Sequence, residues 1–396
     1  MAAVMRDSVH ESGGVHEIVL LGAGHAHLHA LRQWQPGGRT PTRITCVSDF
    51  ADAAYSGLLP AVLAGQQPAS AMAIDLAALC RATGARFIAG HAERVDVPGR
   101  CLTMADGAVV RFDTLSIGVG SVPRFDGVVV SPDAPLVSIK PMQTLLHRLR
   151  VASARLLQTE LPGAGGRRGH VVIVGGGAGG VEVALCVPRF LDAVLGGACG
   201  IDLSLVHEGP LLPGSGGGLV QRARRALDRA RVAVIDERVS VVTSNGLVLA
   251  SGREVAADLV LWATGAAPAP ILDTMALPKD ARGFLETTAS LQSPADPSVF
   301  ATGDAGTPRH APVPKAGVHA VRQGPVLLEN LRRVVDGVEP RPYTPQRTFM
   351  KLLNTGDGRA IGEWRNVSFE GAWVWRMKMA IDLRFVRQYA GVLDRG

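Results

Sequence analysis

The chain has 396 residues, 47% of them hydrophobic, which suits two or three domains with a sizeable core. With 47 Gly and 25 Pro it is turn-rich, and that argues against a bundle of long helices. Forty-one Lys and Arg against 35 Asp and Glu give a net charge of +6, but no nucleic-acid-binding module accompanies the excess, so nucleic acid is not an expected partner. The five cysteines form no CxxC pair and no metal-ligand spacing, so no metal is expected and a reducing, cytoplasmic setting is. The polar start, residues 1–14, has no apolar signal core and is expected to be a disordered arm. No run of about 20 apolar residues lacks a charge or a glycine break, so a spanning helix is not expected.

In chain order, residues 16–21 form an apolar strand, residues 22–34 a glycine turn and helix, and residues 43–47 a second strand ending at Ser48 and Asp49. This is a βαβ unit. Residues 71–83 have helical periodicity, and 85–88 and 94–97 are short strands, the latter holding Arg94 and Val95. Residues 101–104 face 109–112 across Ala105-Asp106-Gly107, a hairpin signal. The apolar strand 113–119 is closed by Gly120. A crossing segment (131–141), a helix (144–161) and a Gly/Arg-rich turn (161–169) follow.

The βαβ order then restarts. Strand 171–174 leads into Gly175, Gly177 and Gly180, a helix carries Glu182, and strand 201–206 ends at His207 and Glu208. A glycine-rich excursion (211–218), a basic helix (221–229), three short strands and an apolar strand closed by Gly265 come next. Both halves therefore run glycine turn, acidic strand end, hairpin, apolar strand, glycine. That repeated order is a stronger signal than either glycine motif. A later strand ends in Gly303 and Asp304, a long helix covers 316–335, and the tail from Arg341 holds Trp364, Trp373 and Trp375.

A glycine turn before a helix lets backbone approach a pyrophosphate, whose charge then sits at the helix N-terminus. The second turn is complete. The first carries His27 at its third position, and His25, His27 and His29 do not share one helix face, which argues against a metal. An acid at the end of the second strand ordinarily bonds a ribose hydroxyl. Ser48 or Asp49 fills that place in the first unit and Glu208 in the second. Glu208 favours NADH because it repels a 2′-phosphate, while His207 and Arg222 nearby leave NADPH open. Asp304 is placed to accept from a polyol hydroxyl, and Lys315, Ala316 and Val318 precede or open a helix whose positive end suits developing negative charge.

These residues resemble the pyridine nucleotide-disulfide oxidoreductases, and among them type II NADH dehydrogenases and sulfide:quinone reductases. The matching pieces are Gly22–His27, Tyr55–Pro60 with Ala64 and Gly65, Leu261–Gly265, Phe300–Asp304 and Pro314–Gly324. With the tail pieces Leu353–Asp357 and Trp373–Lys378, the narrower resemblance is to the flavoprotein associated with selenide, water dikinase. The resemblance implies an α/β fold: two Rossmann-like dinucleotide-binding domains of three-layer ββα form, the second inserted in the first, plus a C-terminal α+β segment. FAD is expected on 15–135 and 281–340, NADH or NADPH on 136–280, and the electron acceptor near 341–396.

By the same resemblance, Gly22, Gly24, His25 and His27 would lie by the FAD pyrophosphate and Ser48 and Asp49 by its adenosine ribose. Pro60, Arg94, Val95, Gly120, Gly265 and Gly303 would contribute to the cofactor surfaces. Asp304 would hold the ribityl chain, and Lys315, Ala316 and Val318 would approach the isoalloxazine, with Lys315 and Pro60 closest to the chemistry. Gly175, Gly177, Gly180, Glu182 and Glu208 would hold the nicotinamide nucleotide.

Departures from the family decide the reaction. Residues 55–65 contain no cysteine and residues 200–396 none at all, which argues against dithiol chemistry and cysteine-based sulfide oxidation. Cys186 and Cys199 read better as structural thiols. The expected activity is hydride transfer from NAD(P)H to FAD, then electron transfer to a quinone or other small-molecule acceptor. A flavoprotein of selenium metabolism and a non-catalytic redox sensor are the alternatives. In the tail, Trp373, Met377, Ile381 and Phe385 form an apolar stripe interleaved with Arg376, Lys378, Arg384 and Arg387. That pattern serves peripheral contact with the inner membrane face or packing on the parent domain equally well. A homodimer is allowed.

Overall fold

The computed structural model describes residues 14–35, 40–158, 168–196, 200–346 and 348–393. Most of the expected N-terminal arm, most of the turn at 161–169, and Cys199 lie outside the described residues. The described α-helices are α1 (His25–Gln33), α2 (Leu59–Leu63), α3 (Leu76–Thr83), α4 (Met142–Gln158), α5 (Ala178–Leu195), α6 (Gly217–Arg229), α7 (Gly317–Val335) and α8 (Ala372–Leu393).

Two five-stranded sheets organise the chain. The first has the order Val299–Ala301, Thr114–Ile117, His16–Leu21, Thr42–Ser48, Arg86–Ala89, and every neighbouring pair is parallel. The second has the order Leu136–Ser138, Leu259–Trp262, Gly169–Val174, Ile201–His207, Val232–Asp236, again all parallel. In each sheet the strand feeding the glycine turn is central and buried on both faces, as an all-parallel sheet requires. All strands of the second sheet fall, in sequence, between the fourth strand of the first sheet and Val299–Ala301. Short strands at Ser121–Pro123 and Ala266–Pro268 pair antiparallel just beyond Gly120 and Gly265 and tie the two sheets together.

An antiparallel meander, Ala92–Asp96, Cys101–Met104 and Val109–Arg111, packs beside the first sheet. The helix expected at 71–83 begins later. Residues 73–75 pair as a strand with Asp52–Ala54, and the Asp75 carboxylate accepts from the Ala78 amide at 2.8 Å, so the side chain caps a helix starting at Leu76. Gly84, at φ +70°, closes that helix. The tail forms a three-stranded sheet, Lys351–Asn354, Ala360–Trp364 and Val367–Gly371, followed by α8. Leu353, Ile361 and Met379 join the same apolar core as α5 and α6.

The first glycine turn explains its own departure from the usual pattern. His27 is fully buried, its Nδ1 lies 2.6 Å from the Gly22 carbonyl and its Nε2 lies 2.8 Å from Ser116 Oγ. Space for the ring exists because residue 118 is glycine; a Cβ there would fall 2.6 Å from the imidazole. A large residue on the helix is thus matched by an absent side chain just past the end of the strand Thr114–Ile117. We expect Gly118→Ala to cost about 1–3 kcal/mol through overpacking. Adding His27→Gly should recover part of that loss, as read by denaturant midpoints. No recovery in the double variant would show that the clash lies elsewhere.

Candidate functional site

Both glycine turns are built so that backbone replaces side chain. A Cβ at Gly22 would lie 2.7 Å from Val119 Cα, and one at Gly24 2.7 Å from the Gly118 carbonyl. In the second turn a Cβ at Gly175 would lie 2.3 Å from the Ala263 carbonyl, and one at Gly180 only 1.9 Å from the Gly175 carbonyl. Gly177 has open space around it. Gly24 and Gly177 are the N-caps of α1 and α5, neither supplies a side-chain cap, and neither first turn holds an acid. Amide donors and positive helix ends are therefore left for an anion. These features fit two dinucleotide pyrophosphates.

The acidic terminator meets the first turn. Asp304, in the short helical turn Gly303–Ala305, accepts from Ser121 Oγ at 2.6 Å and from Lys140 Nζ at 3.2 Å. Burial alone would raise its pKa, but Lys140, Ser121 and Lys315 outweigh burial and hold the carboxyl below its ordinary value. His25 opens α1 within electrostatic reach of this group. Burial pushes the His25 pKa down to about 4, with Asp304 opposing and Lys140 reinforcing, so the ring is neutral near pH 7. Its Nε2 is buried without a partner among the described residues, a polar atom available to a ligand.

Lys315 has an inward task. Its Nζ donates to the Gly306 carbonyl at 2.8 Å and Thr307 Oγ1 at 2.9 Å and lies 4.0 Å from the Phe284 ring centre. Burial lowers its pKa to about 8, against the pull of Asp304 and Asp280. The ammonium fastens the loop after Asp304 and adds positive potential there. Ala316 is the N-cap of α7 with no side-chain cap bond, and Val318 is half-buried in its first turn. A Cβ on Gly317 would touch Ser56, so this helix end abuts the stretch holding Pro60, which is buried at the start of α2.

Other expected residues are placed differently. Ser48 is buried and Asp49 is exposed, 3.1 Å from His91. Arg94 points to solvent, whereas Val95 is buried under the first sheet and its amide is taken by Thr274 Oγ1 at 3.2 Å. Those two do not join the Asp304 cluster. His27, spent on Gly22 and Ser116, braces the turn from inside. Gly120, at φ +74°, and exposed Gly265 sit where the linking strands begin. Glu208 is exposed beyond the strand Ile201–His207, close to Asp236, which accepts from the Gly209 amide at 3.0 Å. Arg222 faces away from them, bonded to Ser368 and 3.1 Å from Glu370.

Glu182 turns away from the glycine turn. It is buried, accepts from the Asn354 amide at 2.8 Å and lies 3.7 Å from Lys378 Nζ. Lys378 also donates to Asp382 at 3.0 Å and to the Gly57 carbonyl at 3.2 Å. Asp382 in turn accepts from the Tyr55 hydroxyl at 2.9 Å. Burial raises the pKa of both acids, with Lys378 opposing; for Lys378 itself burial is outweighed by Glu182 and Asp382, which keep it charged. Tyr55 stacks on Phe385 at 4.3 Å between ring centres and meets the His25 ring edge-on at 5.5 Å. Ring contacts thus join His25, which feels the charge of Asp304, through Tyr55 to α8.

This corrects the stripe expected on α8. Lys378 and Asp382 face inward beside Val374 and Tyr389, and Phe385 packs on Tyr55, while Trp373 and Ile381 are exposed. The reason is that Glu182 and the Gly57 carbonyl supply the partners a buried lysine needs. Lys140, Tyr55 and Asp382 join the site through long-range contacts that no local pattern announces. The sequence signal for the tail pair is opposite charge at i, i+4, with Asp382 the sole acid among the helix's basic residues. Cys46, Cys80, Cys101 and Cys186 are free thiols, and no metal-binding cluster occurs among the described residues.

Residues 16–324 match the family described as pyridine nucleotide-disulphide oxidoreductase. An NADH dehydrogenase-like protein of Mycobacterium tuberculosis is 28% identical over 330 residues, 80% of each chain. The type II NADH:quinone oxidoreductase NdhA of the same species is 22% identical, covering 95% of this chain and 85% of that one. Among solved structures, the sulfide:quinone oxidoreductase of Aquifex aeolicus superposes with a TM-score of 0.77 at 17% identity, covering 96% and 92% of the two chains. NDH2 of Plasmodium falciparum, in complex with NADH, gives 0.74 at 14% identity, covering 94% and 98%. At those identities the structural likeness shows the fold.

Two measurements probe the site. Competitive acylation of lysines followed by mass spectrometry should give Lys315 a midpoint near pH 8, well below an ordinary lysine. Because the folded pKa is depressed, the folded protein binds fewer protons than the unfolded chain between that midpoint and the ordinary lysine range, and this group's contribution to stability rises with pH across that window. An ordinary lysine midpoint would refute the burial assigned to it. Separately, Lys378→Met strands two buried acids and should destabilise by ~3–5 kcal/mol. Adding Glu182→Gln and Asp382→Asn should restore much of it; equal stability of the single variant and the parent would rule out a buried ion cluster.

Proposed function

The chain belongs to the pyridine nucleotide-disulphide oxidoreductase family, and on that premise we propose that it is an FAD-dependent NADH dehydrogenase-like enzyme that hands electrons to a quinone-like acceptor. Bound FAD would accept hydride from the nicotinamide and release electrons to the acceptor. The observation that carries this reading is the meeting of Asp304, Ser121, Lys140 and His25 beside the first glycine turn, with a second complete turn at Gly175–Gly180. Asp304 would hold the ribityl chain, and the α1 and α7 N-termini would face the pyrophosphate and the flavin. The turn at Gly175, Gly177 and Gly180 would hold NADH. Direct transfer without a disulfide is supported by the sequence, which has no cysteine in residues 55–65 or 200–396.

NADH is favoured over NADPH on charge. Glu208 and Asp236 stand at the end of the second sheet's strands, and Arg222 is committed to Glu370. A 2′-phosphate would meet carboxylates and no free guanidinium from that helix face. The buried Glu182–Lys378–Asp382 group is suited to hold a proton at a carboxyl oxygen, which a two-electron acceptor needs when it is reduced. Exposed Trp373 and Ile381 among Arg376, Arg384 and Arg387 would rest α8 against an anionic membrane surface where quinone is found. No helix among the described residues is long and apolar enough to cross a membrane.

Anaerobic addition of NADH to the yellow protein should bleach the flavin absorbance. NADPH should be poorer in kcat/KM by roughly tenfold or more, the scale of one lost charge interaction. Glu208→Gln should narrow that gap. Flavin that neither nucleotide bleaches would end the dehydrogenase reading, and equal rates would end the NADH assignment. Reoxidation by a soluble quinone supports the acceptor; reoxidation only by an oxidised selenium compound transfers the role to selenium metabolism.

A further inference from the structure

A cavity of about 490 Å³ lies on the flank of the first sheet, and no residue of either glycine turn lines it. Its floor is the sheet face carrying Arg43, Arg86 and Ile88. The meander covers this face at Val19, Leu21 and Val47 but leaves the start of the strand Thr42–Ser48, and the strand Arg86–Ala89 to its end, open. The opposite wall is the hairpin Cys101–Met104/Val109–Arg111, which contributes Met104, Val110 and Arg111. The size falls within the usual range for small-molecule sites.

Charge at this cavity is unbalanced. Arg43 is ion-paired with Glu17. Asp106 is turned into its own hairpin, accepting from the Ala108 amide at 2.9 Å. Arg86 and Arg111 come from different strands, line the same concavity and have no carboxylate or hydrogen-bond partner among the described residues. Three arginines against Glu17 and Asp106 leave the recess with a net positive charge, which raises the local positive potential. Their planar donor forks match carboxylate and phosphate oxygens in pairs. Ile88, Met104 and Val110 give the recess an apolar side, which suits the carbon body of an organic anion better than a bare inorganic ion.

We propose that this cavity is a binding site for a small organic polyanion, carrying phosphate or carboxylate groups and no larger than a mononucleotide, with Arg86 and Arg111 as the principal charge contacts. None of the residues assigned above to a dinucleotide lines the cavity, although its Ala89–His91 end adjoins Ser48 and Asp49.

Calorimetric titration of the flavin-loaded protein, with NAD⁺ present to fill the second glycine turn, tests it directly. Citrate and inorganic pyrophosphate are the probes and separate carboxylate from phosphate preference. At least one should bind saturably to one site, and Arg86→Ala combined with Arg111→Ala should weaken it by roughly tenfold or more, equivalent to about 1.4 kcal/mol. Both side chains are exposed, so the variant should keep its flavin and its fold. Arg225→Ala with Arg253→Ala removes the same charge from exposed positions elsewhere and should leave binding unchanged. The proposal is overturned if neither probe saturates, if the cavity variant binds as the parent does, or if the control pair weakens binding equally.

Discussion

At each glycine turn two backbone segments pass so closely that no side chain fits between them, and the rest of the molecule is arranged around that approach. The 1.9 Å that would separate a Cβ on Gly180 from the Gly175 carbonyl leaves glycine as the sole occupant. The same closeness places the N-termini of α1 and α5 at the ends of the central strands. Parallel sheets then bring later strands to the same edge, so that Asp304 and Ser121 arrive beside the first turn from opposite sides of a long insertion. Chemistry here depends on main-chain proximity first and on side chains second.

The second organising interaction is the group of buried charges under α8. Lys378 lies between Glu182 and Asp382, each from a different part of the chain or a different turn of the helix. Removing such charges from water is costly unless each finds a partner, and the partners here come from α5, from the segment before α2 and from the tail sheet. The cluster therefore fastens the tail to α5 and to the segment before α2. It also connects through Tyr55 to His25, which feels the charge of the acid that terminates the first unit.

Local order was legible because it obeys short-range rules. The glycine turns, the apolar central strands, the Ala105-Asp106-Gly107 hairpin and the repeated order of the two halves all appear as patterns within a few residues. Asp75 shows where such reading goes astray: helical periodicity runs through it, but its carboxylate caps the helix and the preceding residues pair as a strand. What stayed hidden depends on contacts between distant residues. Lys140 reaches Asp304 across 164 positions, and Glu182 accepts from Asn354 across 172. No periodicity encodes those meetings. His27 was visible as an anomaly, yet its explanation, the missing side chain at Gly118, needed the neighbouring strand.

Insertion of one sheet's strands within the other's sequence also sets an order of completion during synthesis. The second sheet has all its strands once Trp262 has emerged from the ribosome, whereas the first waits for Val299–Ala301 and Glu182 waits for Lys378. Until then the edge strand Thr114–Ile117 lacks its outer neighbour, and a carboxylate destined for the interior must stay hydrated. A nascent chain stalled in the tail would thus hold both parallel sheets and an interior acid still lacking its buried partner.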